Sequence, residues 1–356
     1  AGITTAVDIG AGLAARGLDV VFVATDLPVA STEASMRFVT GRLSNAEAAA
    51  GATGRMRLFC GVTGGTLPAH PGDRFLATAW WTAHAADALI AAHGYRHDRF
   101  LYLIQDFEPM FYPWGPEHAD ATASYALRFD PVFNSSPLRD FFAAQGYRFA
   151  TPGTPVFHPA VELRRYATPA RPARVGPRRL ALYGRPEVAR NMFPMAVEAL
   201  SRFLADRGIA PSEVELASVG LRHDPVALGQ GHVLRSLGKL PLQDYPDWLR
   251  TVDIGLSLML SPHPSHPPLE MAAAGVRVVT NRFANKDLGR LTPAILSVDP
   301  TARAVAAGLS AAWDMGPVQP ADRQVDLSAL GAPLEEVIDG LARGLRRGGL
   351  VQRVAA

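Results

Sequence analysis

Short apolar runs alternate with helical patterns along almost the whole chain, and this alternation constrains the fold most strongly. The first half carries apolar runs at 20–24, 57–60, 75–79, 100–104, 131–134 and 154–157. The second half carries them at 180–183, 214–219, 232–234, 254–258, 276–280 and 295–298, with helical patterns at 194–206, 244–251, 267–274 and 301–313. Strands that alternate with helices form a parallel sheet covered on both faces. The sequence therefore predicts an α/β chain with two doubly wound domains.

A stretch rich in proline and arginine separates the two series. Residues 167–179, ATPARPARVGPRR, have neither helical nor strand periodicity and are predicted to be a linker. The N-terminal domain is then predicted at 1–166 and the C-terminal domain at 180–330. In the remaining 331–356, Leu334, Val337, Ile338 and Leu341 fall on one helix face, which predicts a C-terminal helix that packs near the hinge.

The chain begins at Ala1 with a glycine-containing turn, an amphipathic stretch to Arg16 and the apolar run at 20–24. Such a turn normally follows a first strand. We therefore expect the sequence to be an N-terminally truncated fragment whose first strand is missing. Thr4, in this turn, is predicted to face the ligand cleft, with a helix cap as the alternative.

Composition limits the protein's environment and partners. The formal net charge is +2 and the densest basic runs are pairs such as Arg346-Arg347, so no nucleic-acid partner is expected. The single cysteine, Cys60, is incompatible with an intrachain disulfide or a cysteine-based zinc site. No apolar run approaches the roughly 20 residues that span a bilayer. We expect a cytoplasmic protein, with peripheral association at the inner face of the membrane as an option.

Residues 263–281, HPSHPPLEMAAAGVRVVTN, predict a loop, a short helix and a strand. The free N–H groups and the positive dipole end at a helix start attract phosphate. Because two prolines at this helix start lack N–H groups, a phosphate must use the amides of Ser265, His266 or Leu269, together with Arg185. Glu270 can accept hydrogen bonds from sugar hydroxyls, or it can simply offset the helix dipole. His263 and His266 have no third ligand at a suitable spacing, so no metal is expected.

The segment 182–194, LYGRPEVARNMFP, predicts the phosphate-binding side of the same site. Gly184 and Arg185 follow a strand directly, and Arg190 and Asn191 precede a helix. A guanidinium group in this place can clamp a diphosphate and offset charge on a leaving nucleotide, the role predicted for Arg185. Arg190 can equally form a surface ion pair.

A second strand end in the same domain carries Lys239 and Leu240. Their backbone is predicted to lie against the edge of a nucleobase, and a plain loop is the alternative. Together with Gly184, Arg190, Asn191 and Glu270, they complete the predicted donor side.

In the first domain, the segment 102–115, YLIQDFEPMFYPWG, places acids beside aromatic rings at a strand end. Such a combination suits carbohydrate, because hydroxyls bond to acids while apolar sugar faces lie on rings. We predict that Asp106 or Glu108 positions or deprotonates an acceptor. An acid-x-acid metal pair, or Asp106 as a turn cap, remains open. Further acceptor contacts are predicted at Gln105, Phe107, Tyr112 and, on the preceding helix, His84.

These motifs resemble those of GT-B-type glycosyltransferases of the large retaining class. The resemblance rests on HPAVELRRY (158–166) and LYGRPEVARNMFP (182–194); QDFEPMFYPWG and SPHPSHPPLEMAAAG look like a subgroup of rhamnosyltransferases that build bacterial surface glycans from dTDP-rhamnose. It implies two Rossmann-like domains facing across a cleft, with Glu270 on the ribose, Arg185 on the diphosphate and the amides of Ser265 and His266 on the phosphates. Pro262 and Asn191 depart from the family pattern, in place of a Glu and a Lys.

The resemblance implies a hexosyltransferase that moves a deoxyhexose such as rhamnose from a nucleoside diphosphate to a glycan or lipid-linked glycan. No metal or other cofactor is expected. A nucleotide-sugar epimerase of the same fold and a non-catalytic glycan- or nucleotide-binding protein are the alternatives. A requirement for an acceptor distinguishes the hexosyltransferase from the epimerase. Turnover distinguishes both enzymes from the binding protein.

Overall fold

The computed structural model describes residues 2–63, 66–67, 69–167 and 176–347. They fall into two compact units: unit 1 comprises Ala1–Ala160 and Leu330–Ala356, and unit 2 comprises Val161–Ala329. Most of the predicted linker, at 168–175, lies outside the described residues. Its last two residues, Arg178 and Arg179, instead begin a strand of unit 2.

Unit 1 is built mainly from α/β repeats. Its elements in chain order are α1 (Gly2–Ala15), β1 (Val20–Ala24), α2 (Thr32–Thr40), α3 (Asn45–Ala49), β2 (Met56–Cys60), β3 (Leu76–Ala77), α4 (Trp80–Ala92), β4 (Phe100–Ile104), α5 (Pro116–Ala123), β5 (Phe129–Asn134), α6 (Ser136–Ala144) and β6 (Val156–Phe157). All its strand pairs are parallel, as predicted. Among the described residues of this unit they form two sheets, β1-β2 and β3-β4-β5-β6.

The helix α1 packs against both sheets of unit 1. Ile9 and Leu13 lie in one apolar cluster with Leu103 of β4. Other residues of α1 pack in a second cluster with Met56 of β2. Gly10 permits this closeness, because a Cβ there would lie 2.5 Å from the ring of Phe22. Pairing between strands depends on this three-dimensional packing, which strand periodicity does not encode.

The end of the chain returns to unit 1. The predicted C-terminal helix is present as α12 (Leu334–Arg346). It has the last number because the elements of unit 2 precede it in the chain. Its residues Ile338 and Leu341 pack in the same cluster as Ile9 of α1. The Arg16 guanidinium contacts Glu335 at 2.9 Å and Asp339 at 2.5 Å. Burial of an apolar stripe therefore fixes α12 on α1.

Unit 2 contains one seven-stranded sheet. Its elements are α7 (Leu163–Tyr166), β7 (Arg178–Gly184), α8 (Phe193–Arg207), β8 (Val214–Gly220), β9 (Val226–Gly229), β10 (His232–Gly238), α9 (Tyr245–Leu249), β11 (Ile254–Leu256), α10 (Pro267–Ala273), β12 (Arg277–Asn281), β13 (Ile295–Val298) and α11 (Ala302–Met315). The strand order is β13-β12-β11-β7-β8-β10-β9. All neighbours are parallel except the edge pair β9 and β10.

The edge strand β9 was missed in the sequence. It joins β10 through a tight turn in which Gln230 has φ 51° and Gly231 has φ 83°. A Gly-Gln-Gly turn between two short runs was the available signal for this hairpin.

The strand order of unit 2 brings β7, β11 and β12 together at the centre of the sheet. Ile254 of β11 is in register with Leu180 of β7 and with Arg277 of β12. Because these strands are parallel, their carboxyl ends meet at one edge, where ligands of open α/β sheets bind. Segments far apart in sequence, after Gly184, Leu256 and Asn281, therefore meet there.

Candidate functional site

The turn after β7 positions Arg185 at the carboxyl edge of the unit 2 sheet. Gly184 is buried there, and a Cβ on it would lie 2.1 Å from Ser218 Oγ and 3.1 Å from the ring of Phe193. Only glycine fits without movement of these neighbours, so the close approach of β8 and α8 explains this residue. Arg185 follows it directly and is half-buried. Of the predicted donor residues, these two occupy the strand end as expected.

Glu270 lies in the first turn of α10, beside three tyrosines. Burial raises the pKa of its carboxyl to about 7, and a hydrogen bond from Tyr166 opposes the shift. Tyr166 is itself buried and meets Tyr245 edge-on, with ring centroids 6.1 Å apart. The carboxyl is thus only partly ionised at pH 7 and has a hydroxyl partner already.

Tyr183, near the end of β7, links Arg185 to Glu270. Burial raises the pKa of its phenol, the charge of Arg185 lowers it, and the Glu270 carboxylate raises it. The phenol is therefore close enough to interact with both groups. Sequence reasoning singled out Arg185 and Glu270 but missed Tyr166 and Tyr183. The available sequence signal was a tyrosine hydroxyl near the end of a strand, at Tyr183, and another at the predicted domain boundary, at Tyr166.

Two buried side chains hold the loop that follows β11. Asn281 accepts a hydrogen bond from the Met259 amide at 2.7 Å and donates one to the Met259 carbonyl at 3.0 Å. The ammonium group of Lys286 donates to the same carbonyl at 2.7 Å. Lys286 is 1% exposed, so the loop after β12 carries a cation deep into this edge of the sheet. Nothing in the sequence pattern predicted either residue.

Arg190 and Asn191 also brace this loop. The Arg190 carbonyl accepts a hydrogen bond from the Leu260 amide at 2.8 Å, and Asn191 Nδ2 donates to the Leu258 carbonyl at 3.0 Å. Asn191 is buried, at 5% exposure. The predicted contact of these residues with the donor stays a prediction, while their observed contacts are with the protein.

Both histidines of the loop before α10 are neutral. Burial holds the pKa of His263 well below its usual value, and the charges of Lys286 and Arg190 add to this effect. Burial lowers the pKa of His266 to about 4. The Ser265 amide donates to Nδ1 of His263 at 3.1 Å, so the other ring nitrogen carries the proton.

The bond between Ser265 and His263 bears on the predicted phosphate contacts. The Ser265 amide is already engaged, and the residue has a left-handed backbone with φ 70°. A phosphate there would have to replace an internal bond, which the sequence did not reveal. For His266, Nε2 is buried with no hydrogen-bond partner among the described residues. Its ring therefore has unused bonding capacity next to Glu270's helix.

Lys239 and Leu240 follow β10 at the same edge of the sheet. Gly238 has φ 67°, which turns the chain at the strand end. Lys239 is exposed and Leu240 is half-buried. This arrangement leaves the predicted contact with a nucleobase untested.

In unit 1, Glu108 is tied to the start of α4. Its Oε2 accepts a hydrogen bond from the Trp80 amide at 2.6 Å, and Glu108 is 8% exposed. Burial raises the pKa of Glu108 to about 7, against the effect of the Trp80 bond, and nearby Asp106 raises it further. Asp106 is more exposed, and its Oδ1 accepts from the Phe107 amide at 2.9 Å.

The other predicted acceptor contacts in unit 1 have structural partners. Phe107 packs into an aromatic core, with its ring centroid 5.2 Å from that of Phe142 and 5.9 Å from that of Tyr125. The predicted sugar contact of Phe107 therefore competes with core packing. Tyr112 accepts from Trp80 Nε1 at 3.0 Å, and His84 Nε2 bonds the Asp120 carbonyl at 2.9 Å.

Thr4 and Gln105 lie at one end of α1. Thr4 belongs to the first turn of this helix and is half-buried, so its placement in a glycine-rich turn was wrong. The short run Gly2 to Thr5 continues into an apolar helix face that packs on both sheets. Gln105 ends β4 nearby, since a Cβ on Gly2 would lie 3.4 Å from Gln105 Nε2.

Two further findings concern metal-binding groups and membrane spans in the described residues, 2–347 with the gaps given above. Among them, no three His, Cys, Asp or Glu residues come together as a metal-binding group. None of their helices is both long and apolar enough to cross a membrane.

The fold is similar to that of two solved structures. The chain superimposes on an α,α-trehalose-phosphate synthase (UDP-forming) from Burkholderia xenovorans, solved with glucose-6-phosphate, with a TM-score of 0.55 and 14% identity over 78% of this chain and 73% of the other. It also matches a sucrose-phosphate synthase from Thermosynechococcus elongatus, with a TM-score of 0.52 and 12% identity over 96% and 89% of the two chains. Both have the GT-B glycosyltransferase fold, and this chain shares it.

The family follows from the sequence comparison. Residues 1–136 match the family model "WsaF, N-terminal domain" and residues 178–310 match "WsaF, C-terminal domain", in the order of the parent protein. The chain therefore belongs to the WsaF family, and the predicted relationship to GT-B glycosyltransferases of surface-glycan assembly is confirmed. It is also 37% identical over 210 residues to the O-antigen biosynthesis protein RfbC of Myxococcus xanthus. That match covers 59% of this chain but only 15% of RfbC.

Proposed function

We propose that the chain is a glycosyltransferase of surface-polysaccharide biosynthesis that moves a sugar from a nucleoside diphosphate to a glycan acceptor. The family, the fold and the name of the Myxococcus relative support this proposal. The observation that carries it is the group formed by Arg185, Tyr183 and Glu270 at the carboxyl edge of the unit 2 sheet. A cation suited to a diphosphate and a carboxyl suited to a ribose therefore both lie near the Tyr183 phenol.

On the donor side, Arg185 would bind the diphosphate. A guanidinium group offers several N–H donors in one plane, which match two phosphate oxygens. As the bond to the sugar breaks, negative charge builds up on the leaving diphosphate, and a fixed cation stabilises it. The interaction becomes stronger in the transition state than in the bound donor, so it accelerates transfer.

Glu270 would accept hydrogen bonds from the ribose hydroxyls. Its present partner is the Tyr166 hydroxyl, which donates to the same carboxylate. A ribose can replace this bond at little cost, because one hydroxyl donor takes the place of another. The neighbouring ring of Tyr245 would then lie against the nucleoside.

On the acceptor side, we assign the positioning or deprotonation of the acceptor hydroxyl to Asp106. Glu108 keeps its short bond to the Trp80 amide and so has a role in the start of α4. Asp106 is more exposed than Glu108 and lies in the same segment after β4. Its Oδ1 accepts a hydrogen bond from the Phe107 amide, which orients the carboxylate at this strand end.

The finer assignments come from the motif resemblance. We propose a deoxyhexose donor, dTDP-rhamnose, a glycan or lipid-linked glycan acceptor, and a hexosyltransferase reaction in the cytoplasm at the inner face of the membrane. We also propose that no metal takes part, since Arg185 can supply the positive charge that a metal would otherwise give. Transfer at an undiminished rate in excess chelator is the expected result, and loss of activity that Mg²⁺ or Mn²⁺ restores would contradict it.

The central test combines donor binding with transfer. Thermal-shift measurements with dTDP-rhamnose and other nucleotide sugars should identify a donor, because a ligand that binds only the folded state raises the melting temperature. Arg185→Ala should then lower transfer by about 100-fold or more. The control is Arg202→Ala, which removes a guanidinium that pairs with Glu198 on the surface of α8.

The outcomes separate the three candidate functions. Full transfer activity in Arg185→Ala would overturn its role. Turnover of a nucleotide sugar without any acceptor would favour the epimerase. Donor binding without transfer to any glycan would favour the binding protein.

A further inference from the structure

Three buried polar atoms in unit 1 lack hydrogen-bond partners at one sheet edge. They are Gln105 Oε1, Asn134 Oδ1 and Ser135 Oγ, and none has a partner among the residues that the structure describes. Asn134 is 3% exposed and Ser135 is fully buried. A buried oxygen without a donor is costly, so each such atom calls for a partner in the working protein.

The strand register brings these atoms together. Ile104 of β4 pairs with Phe133 of β5, so the next residues, Gln105 and Asn134, are neighbours across the two strands. Side chains alternate along a strand, and Leu103 and Val132, two residues earlier, share the cluster that α1 covers. Gln105 and Asn134 therefore lie on the α1 side. The first residue of α1 confirms this, because a Cβ on Gly2 would lie 3.4 Å from Gln105 Nε2.

Ser135 begins α6 without capping it. A serine in this place normally accepts a hydrogen bond from an amide of the first turn. Ser135 makes no such bond, and its backbone is strained, with φ 94° and ψ 145°. Its amide donates to the Phe157 carbonyl at 2.8 Å, which holds the residue in this conformation. The hydroxyl is thus fixed at the helix start but unused by the fold.

The chemistry of this group favours a sugar over a phosphate. Three partnerless oxygens need donors, and an anion beside them would add negative charge without supplying any. The start of α1, a helix of 14 residues, also presents amide donors at this edge. Vicinal hydroxyls both donate and accept, so they can satisfy the oxygens and the amides at once.

We propose that Gln105, Asn134 and Ser135 form a binding subsite for the vicinal hydroxyls of one sugar ring of the acceptor. This inference rests on the proposed glycosyltransferase function, since it assigns the acceptor's ring to unit 1. Asn134 and Ser135 would be specificity-determining residues that hold the ring through its hydroxyls. Asp106 follows Gln105 directly, so the ring would lie next to the proposed base.

The experiment measures sugar binding to the full chain by saturation-transfer NMR and titration with methyl α-L-rhamnopyranoside. Ser135→Ala should weaken binding about fivefold or more, the effect of one lost hydrogen bond. Its melting temperature should stay equal or rise, because the hydroxyl has no partner within the fold. Ser135→Gly should show the same loss of binding and a higher melting temperature, since glycine relieves the strained φ.

The matched control is Ser124→Ala, a fully buried serine in unit 1 whose hydroxyl bonds the Ala121 carbonyl at 2.7 Å. It should lower the melting temperature and leave sugar binding unchanged. The subsite is overturned if wild-type protein does not bind the glycoside, if Ser135→Ala binds it equally well, or if Ser135→Ala loses stability as the control does.

A second set of measurements, with a nucleotide, tests this inference separately from the proposed function. Thermal shifts with dTDP should be equal in wild-type protein and Ser135→Ala, and the variant should raise the acceptor KM but not the donor KM. Transfer with an unchanged acceptor KM in Ser135→Ala would overturn the subsite alone. Absence of both nucleotide binding and transfer in wild-type protein would overturn the proposed function.

Discussion

At the scale of single residues, two carboxyl groups stand out because burial shifts their protonation. The pKa values of Glu108 and Glu270 are both raised to about 7 from 4.5. Both were predicted from the sequence as site residues; Glu108 lies in unit 1 and Glu270 in unit 2. Desolvation is the main cause in both cases, since the charged form loses more hydration than the neutral one.

The raised pKa of Glu270 predicts how stability depends on pH. A group whose pKa is higher in the folded state binds its proton more tightly there, so its stabilising effect is complete below about pH 4.5 and is lost as pH rises through about 7. Glu270→Gln should therefore reduce the fall in unfolding free energy between pH 4.5 and 7, by at most roughly 3 kcal/mol. Urea denaturation at several pH values measures this effect.

The exposed Glu198 of α8 is the matched residue for comparison. Glu198→Gln should leave the pH profile of stability unchanged, because its side chain is 59% exposed. An identical profile for wild-type protein and Glu270→Gln would contradict the raised pKa.

At the scale of elements, the turn between β7 and α8 depends on one close contact. Gly184 lies where β8 and α8 leave no room for a methyl group. This packing fixes the backbone at the end of β7, directly before Arg185. The geometry of the proposed diphosphate site is thus a property of neighbouring elements.

Gly184→Ala should destabilise the protein by about 1–3 kcal/mol, because the added Cβ would lie 2.1 Å from Ser218 Oγ. Adding Ser218→Ala should recover part of the loss, since it removes the clashing atom. Chemical denaturation of both single variants and the double variant gives the coupling energy.

Gly340 supplies the control for this substitution. It lies inside α12, and a Cβ there would meet nothing within 4 Å. Gly340→Ala should stabilise by about 0.5–1 kcal/mol through helix propensity. Full additivity of Gly184→Ala and Ser218→Ala would contradict the proposed contact.

At the scale of the whole molecule, the chain completes unit 1 only after it has built unit 2. The helix α12 packs on α1, more than 300 residues earlier, as the ion pair of Arg16 with Asp339 shows. Unit 1 is thus discontinuous in sequence, while unit 2 is one continuous stretch. The final helix is therefore required for the core of the first unit.

Ile338→Ala should destabilise unit 1 by about 2–5 kcal/mol, because it removes a fully buried side chain from the core shared by α1, β4 and α12. Hydrogen exchange followed by mass spectrometry should show lost protection in α1 and β4. Protection in β7 and β12 of unit 2 should be retained. Equal loss in both units would contradict the assignment of α12 to unit 1.

Much of the fold and part of the site could be predicted from local patterns. The period of apolar residues predicted α10, α12 and most strands, and the turn residues placed Arg185 and Glu270 at the starts of loops and helices. The core packing of Phe107 and the helical position of Thr4 were not predicted, because core packing and helix extension depend on distant partners. Tyr166, Asn281 and Lys286 were missed because their partners lie on other segments.

The sequence by itself determined the α/β class, the division into two units and the family relationship, since periodicity and short motifs are local properties of the chain. Only the tertiary structure decided that unit 1 has two sheets, that α12 belongs to it, and that Ser135 and Asn134 have unsatisfied oxygens beside Gln105. Burial, strand register and hydrogen bonding arise between segments far apart in sequence. Those interactions, rather than local propensity, set the chemistry of the proposed donor and acceptor sites.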